Sequence, residues 1–283
     1  MNYNILIADS GSTKTDWAAI KSDGTTVANV RTEGLNPFFM DTGQIVEILN
    51  RELRPNIPTI KYASVHFYGA GCTPEKSPVV GDALNKLLVA QSVAIHSDML
   101  GAARALCGHQ AGIACILGTG ANSCSYNGKD IDMNISPLGY ILGDEGSGAV
   151  LGKQFLGAVL KNQMPKGLKE KFLEQYNTST ADILDRVYKK PNPNRYLASF
   201  APFMANHLHI DEVYRLVEEA FSLFLIRNVK QYPNWSLHQV HFVGSVAHYF
   251  QQPLESACEK EHVTLGRILQ EPMQGLIEYH SCR

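Results

Sequence analysis

No stretch of the 283-residue chain approaches the ~18 consecutive apolar residues that a membrane-spanning helix needs. The apolar strand beginning near residue 4 also leaves no basic segment and hydrophobic signal core, so secretion is not expected. Lys and Arg number 25 against 27 Asp and Glu, and no basic run stands out. Such a balance lacks the electrostatic footprint of a DNA or RNA binder, and a small-molecule partner is expected instead. Six cysteines (Cys72, Cys107, Cys115, Cys124, Cys258 and Cys282) form no CxxC pair and no regular spacing. That is the pattern of ordinary thiols in a reducing compartment, and a cytoplasmic location is expected. The ten histidines, His207 and His209 among them, show no metal-ligand spacing with a partner cluster, and structural roles are expected for them.

What is present points to an α/β protein. The length favours two cores over one. "YNILIA", "DWAAIKS" and "TTVANVRT" read as strands, the last two joined by an Asp23-Gly24 turn. In "GQIVEILNREL" Ile45, Ile48, Leu49 and Leu53 fall at helical intervals, "YASVHFYGAG" alternates as a buried strand, and "GDALNKLLVAQ" reads as a helix. "SVAIHS" is a strand, and Asp98 opens the helix "DMLGAARAL". About 110 residues after the start the opening pattern returns: "GIACILGTGANSCSYNGKDI" is again an apolar strand, a Gly/Thr turn, an alternating strand and a tight Asn127-Gly128 turn. This imperfect repeat predicts two related domains, 1–110 and 111–283, with a boundary near Gly108–Gly112. Further on, "VYRLVEEAFSLFLIRNVKQY" is a long helical pattern, "KKPNPNR" (189–195) a loop, and "QVHFVGSVA" the last buried strand.

Two turns carry the chemistry. "ADSGSTKTDW" packs hydroxyls and Lys14 around Gly11 between two strands: small residues let backbone N–H groups approach oxygens, Ser and Thr add donors, and the lysine adds charge. "LGTGANS" (117–123) is its near copy. An ordinary hairpin explains one such turn, whereas two facing cradles could hold one polyphosphate. Neither fits G-x-x-x-x-G-K-[ST] or G-x-G-x-x-G, which disfavours a P-loop or Rossmann site. Asp98 stands where a strand meets a helix, a place for an N-cap or for a residue lining a ligand crevice. "GYILGDEGSGAVLG" (139–152) sets two carboxylates among glycines ahead of an apolar helix, and in "HFVGSVA" the strand stops at Gly244-Ser245, either a plain turn or room for a flat ring.

"ADSGSTKTDW", "GLN" ending at Asn36, "SDMLGAA", "ILGTGANS", "LGDEGSGAVLG" and "HFVGSVA" resemble, in order and spacing, the BadF/BadG/BcrA/BcrD-type ATPases, and within them the N-acetylglucosamine and bacterial glucosamine kinases. The resemblance spans residues 5 to about 276. It implies two ribonuclease-H-like domains of the actin, sugar kinase and Hsp70 fold with a nucleotide cleft between them, and a last helix that packs back on the first domain. It implies Mg²⁺ near Asp9, and ATP phosphates on the first loop (Ser10, Gly11, Ser12, Thr13, Lys14) and the second (Gly118, Thr119, Gly120). Gly244 and Ser245 would flank adenosine. Asn36, Gly139, Asp144 and Glu145 would contact the sugar, and Asp98 would be the catalytic base acting on the 6-hydroxyl. Sugar and ATP are then the partners, with neither nucleic acid nor membrane, and a homodimer stays open. An iron–sulfur activator of an acyl-CoA dehydratase or reductase and a non-catalytic sugar or nucleotide sensor are the rival expectations. Two departures stand out: Ser10-Gly11-Ser12 where relatives commonly have three glycines, and Leu138 in "SPLG" where many carry a tryptophan lining the acceptor pocket. The latter leaves the sugar open.

Overall fold

The computed structural model describes residues 4–11 and 13–281; Ser12 and Cys282 lie outside the described residues. The chain divides into two compact units. One comprises the chain up to Ala111, Tyr126–Ile131 and the chain from Glu271 on; the other comprises Gly112–Ser125 and Asp132–Gln270.

The first unit is built on β1 (Asn4–Ser10), β2 (Lys14–Lys21), β3 (Thr26–Glu33), α1 (Thr42–Ile48), β4 (Ser64–Gly69), α2 (Ser77–Leu87), β5 (Val93–Ser97) and α3 (Asp98–Cys107). Its sheet runs β3-β2-β1-β4-β5. The hairpin-linked β1, β2 and β3 pair antiparallel, and β1, β4 and β5 pair parallel. Side chains alternate between the sheet's faces, so each strand feeds two cores. Leu6, Ala8, Trp17, Ala19, Val65 and Phe67 pack with α1 and α2 residues such as Ile45, Val80 and Leu84. Ile7, Ala18, Ile20 and Tyr68 face the other way, into a cluster with Ala105 of α3. The helix expected over 43–53 is α1 continued by a π turn at Leu49–Leu53 and a 3₁₀ turn at Arg54–Asn56. Asp41 starts it with a capping box, accepting from Gln44 N while Gln44 Oε1 accepts from Asp41 N, both at 2.9 Å. Pro55, with no N–H to donate, ends it.

The second unit follows with β6 (Ala111–Leu117), β7 (Ala121–Asn127), β8 (Ile131–Met133), α4 (Gly139–Leu142), α5 (Gly148–Leu160), α6 (Leu168–Gln175), α7 (Thr180–Lys189), α8 (Pro193–Ala198), α9 (Ala201–Asn206), α10 (Asp211–Arg227), β9 (Val240–Val243), α11 (Ser245–Tyr249), α12 (Gln251–Lys260) and β10 (Leu265–Leu269). Its strand order, β10-β9-β6-β7-β8, reproduces that of the first sheet element for element. The repeated opening pattern in the sequence is therefore a repeated sheet. Ile113, Cys115 and Leu117 of β6 join α5, α10 and α12 in one core, in which Phe172 meets Phe155, Phe200 and Phe203 edge-on at 5.1–5.3 Å. The strand in "QVHFVGSVA" is the last buried one, and a further strand with no buried residue, β10, pairs alongside it. One expectation needs correcting: 189–195 is not wholly a loop, since Lys189 ends α7 and Pro193 begins α8, its fixed φ suiting a first helical turn.

The chain then returns to the first unit as α13 (Met273–Ser281), whose Leu276 and Ile277 cover Ile7, Ala18 and Ile20. No helix among the described residues is long and apolar enough to cross a membrane.

Candidate active site

In the first unit the register of four strand pairs lines up five polar residues. Arg31 is the cross-strand partner of Asp16, Asp16 of Asp9, Asp9 of Tyr68 and Tyr68 of His96. Residues directly opposite share a face, so the row crosses the sheet at one level. Asp98 follows His96 by two residues, at the end of β5. Burial, then the negative charges of Asp98 and Asp16, push the Asp9 carboxyl up to about 7, against the opposing pull of Lys14. A hard divalent cation fits such a place, because it takes carboxylate oxygen and offsets the crowded negative charge. Asp9 is the residue that would hold it.

The expectation of Asp98 as a cap of α3 needs correcting, because the cap is Ser97. Ser97 has extended backbone (φ −68, ψ 153) and its Oγ accepts from Leu100 N at 3.2 Å. Asp98 is the first helical residue, its Oδ1 accepting from Met99 N at 2.8 Å. Burial raises its carboxyl and that hydrogen bond partly opposes the rise. Asp98 edges a groove lined by Gly71, Cys72, Thr73, Ser77 and His96. There burial, and next the Asp98 charge, push the Cys72 thiol up to about 12. Asn36 borders the same groove through Gly71, whose φ of +80 and lack of a Cβ keep it clear of Asn36 Oδ1. That oxygen accepts from Phe38 N at 3.0 Å.

The first loop is less open than its sequence suggests. Ser10 Oγ is buried, 2.8 Å from Thr15 Oγ1, and accepts from Leu35 N at 3.1 Å, so its hydroxyl ties the turn to the segment leading to Asn36. Lys14 Nζ lies 2.9 Å from Asp16 and 2.5 Å from Glu271. Gly11 and Thr13 are exposed.

In the second unit, Gly118, Thr119 and Gly120 turn the chain between β6 and β7, Gly118 N donating to Gly120 O at 2.9 Å. The start of α5 secures this turn: Gly148 N donates to Gly118 O at 2.8 Å and Ala149 N to Thr119 O at 3.1 Å. Ser147 caps the helix, accepting from Val150 N. The "GDEGSG" element is thus the brace of the second loop. Asp144, at φ +54, packs its carboxylate where a Cβ on Gly120 would be 3.1 Å away. Burial raises its carboxyl, while the Ala121 N–H lowers it. Glu145 is placed otherwise: its carboxylate is buried, paired with Arg227 at 2.8 Å and accepting from Asn228 Nδ2 at 3.3 Å. Gly139 (φ +74) begins α4 with open space where a Cβ would lie, beside the exposed Leu138.

The second loop opens onto a cavity of about 430 Å³ with the loop residues Gly118 and Thr119 at one part of its wall and Ser245, Val246 and Tyr249 of α11 at another. Ala198, Ala201, Pro202 and Ala205 of α8 and α9 complete an apolar slot. Gly244 (φ +125) seats α11, because any Cβ there would run into the Leu117 carbonyl. The sequence flagged Gly118, Thr119 and Ser245 but missed the α8 and α9 wall. Its only local signal was the alanine and proline content of "LASFAPFMA".

Two sheets of identical strand order, each with a glycine turn after its first strand, define the class: the two-domain α/β fold of actin-like sugar kinases. A structure from Porphyromonas gingivalis, named "Putative N-acetylglucosamine Kinase", is 52% identical, with a TM-score of 0.93 and 98% of each chain covered. The chain belongs to the family of that protein. A Chromobacterium violaceum protein of the same description is 17% identical, with a TM-score of 0.77 over 98% of this chain and 99% of its own. A ROK family glucokinase from Streptomyces griseus, solved with glucose and AMPPNP, is 13% identical with a TM-score of 0.59 over 98% of each. These last two share the fold. No protein-family model matches the chain, and no curated protein does.

Proposed function

We propose that the chain is a phosphotransferase with a hydroxyl acceptor, an ATP-dependent kinase of an amino sugar, with N-acetylglucosamine the first choice and glucosamine the second. The observation that carries it is the slot of the second unit, where an apolar wall from α8, α9 and α11 adjoins Gly118 and Thr119 of the second loop. An adenine needs such a wall, and a phosphate tail needs such a turn. The 52% identity with a kinase-named relative over the whole chain favours turnover over an electron-passing activator or a silent sensor. Labour divides by domain: residues 1–110 carry the first phosphate loop, sugar contacts and the base, and residues 111–283 carry the second phosphate loop and the adenosine site, their last helix packing back on the first domain.

Asp98, at the groove that Asn36 borders, accepts the proton of the sugar's primary hydroxyl. That oxygen bonds to the γ-phosphorus as the bond from phosphorus to the β,γ-bridging oxygen breaks, and ADP leaves. Alignment and charge compensation do most of the work, since the transferring group passes through a loose transition state. Mg²⁺ on Asp9, bound directly or through water, would offset charge on the phosphate oxygens. Asp144, beside the second loop, contacts sugar hydroxyls. A coupled ADP-release screen over hexoses, hexosamines and N-acetylhexosamines tests the assignment. Sugar-dependent ADP release led by N-acetylglucosamine is the expected result, and ATP consumption indifferent to every sugar would refute it.

A further inference from the structure

Lys14 supplies the cation of the first phosphate loop, yet its ammonium is committed elsewhere. Lys14 and Asp16 alternate onto the same face of β2, the face on which Asp16 opposes Asp9. From there Lys14 Nζ reaches Asp16 Oδ2 at 2.9 Å and Glu271 Oε1 at 2.5 Å. Asp16 keeps a second cation, Arg31 Nε at 2.6 Å from its other oxygen, whereas Glu271 has Arg31 no nearer than 3.8 Å. If Lys14 leaves, Asp16 stays compensated and Glu271 does not. Glu271 is also the residue with which the chain re-enters the first unit, just ahead of α13.

We infer that Glu271 is a positioning residue for Lys14, holding the loop's ammonium on the β2 side in competition with the phosphates of a bound nucleotide. The inference rests on the nucleotide reading of the first loop. Asp16 and Glu271 take two of the three N–H donors of the ammonium, so a nucleotide phosphate that is to draw the lysine onto itself competes with Glu271, the partner that has no other close cation. An exposed ion pair is weak, which suits a contact made to be exchanged.

The test is MgATP binding by titration calorimetry on the full chain, wild type against Glu271→Gln, in the native and the Lys14→Met backgrounds. Glu271→Gln keeps shape and hydrogen-bonding capacity at a half-exposed position. It should tighten ATP binding roughly 1.5- to 5-fold, the worth of one freed surface ion contact. KM for ATP should fall with it, while kcat does not rise. In the Lys14→Met background the gain should vanish. A general loss of negative charge near the loop would instead give the same gain in both backgrounds, and that outcome overturns the inference, as does unchanged or weaker binding by Glu271→Gln. A wild type that binds no nucleotide overturns this inference and the kinase assignment together, whereas normal wild-type binding with a silent Glu271→Gln overturns this inference alone.

Discussion

Asp9 on β1 and Asp16 on β2 are direct cross-strand partners, two carboxylates opposed on one face of the sheet. Like charges so placed destabilise a sheet unless something offsets them. Arg31 and Lys14 gather on Asp16, and Asp9 is left with Asp98 as its other acidic neighbour. The conflict is resolved on one side of the pair and kept on the other.

The pH dependence of stability follows. Asp9 has its carboxyl raised to about 7, so the folded protein binds more protons than the unfolded chain between the ordinary carboxylate range and pH 7. Stability from this group is present at low pH and is lost as pH rises through that window. Without divalent cations the melting temperature should therefore fall from pH 5 to pH 8. Asp9→Asn should flatten that slope and melt at least ~3 °C above wild type at pH 8. Thermal melts in a chelating buffer decide it, and identical slopes for the two proteins would count against the crowding of Asp9.

Ser97 and Asp98 adjoin but should fail in different assays. Ser97→Ala removes the α3 cap and should cost about 1 kcal/mol in urea denaturation. Asp98→Asn leaves the cap in place and should lower kcat by roughly 10²–10⁴ with ATP affinity kept. Near-normal turnover of Asp98→Asn would end its role as base.

The slot of the second unit can be closed from its α9 wall. Ala205→Phe puts a ring where Ala198, Pro202 and Val246 converge. Overfilling of this kind costs about 1–3 kcal/mol, here charged to binding, so ATP affinity should drop roughly 10- to 100-fold. The melting temperature should stay close to wild type. Unchanged ATP affinity would place the nucleotide elsewhere.

Asp144 and Glu145 also separate. Glu145→Gln leaves Arg227 without its buried partner and should cost roughly 1–3 kcal/mol of stability, with turnover per folded molecule unaltered. Asp144→Asn keeps a side chain that tolerates φ +54 and should raise the sugar KM more than the ATP KM. Equal loss toward both substrates would assign Asp144 to the second loop alone.

The two hairpin loops, their repetition and the strand-end position of Asp98 were legible because each is a local pattern: alternation, glycine, a polar residue at a boundary. The row from Arg31 to His96 was not, since it exists only in the register of strands far apart in the chain. Strand β10 hid behind a bulge: its register shifts between Leu265 and Ile268, where Arg267 N donates to His241 Nδ1 at 2.9 Å. The extra residue breaks the period that identifies a strand. The six-residue helices α8 and α9 are too short to show a 3.6-residue period, and they form the slot wall. "HSDML" offers two capping residues in a row, and only backbone angles single out Ser97.

The first unit is assembled from three separate stretches of chain, and its second face has only α3 over it until α13 arrives. On the ribosome this unit therefore begins to emerge before the second and is completed after it. Ile7, Ala18 and Ile20 wait for Leu276 and Ile277 through the synthesis of the whole second unit. A nascent chain halted before that helix displays a sticky half-built sheet.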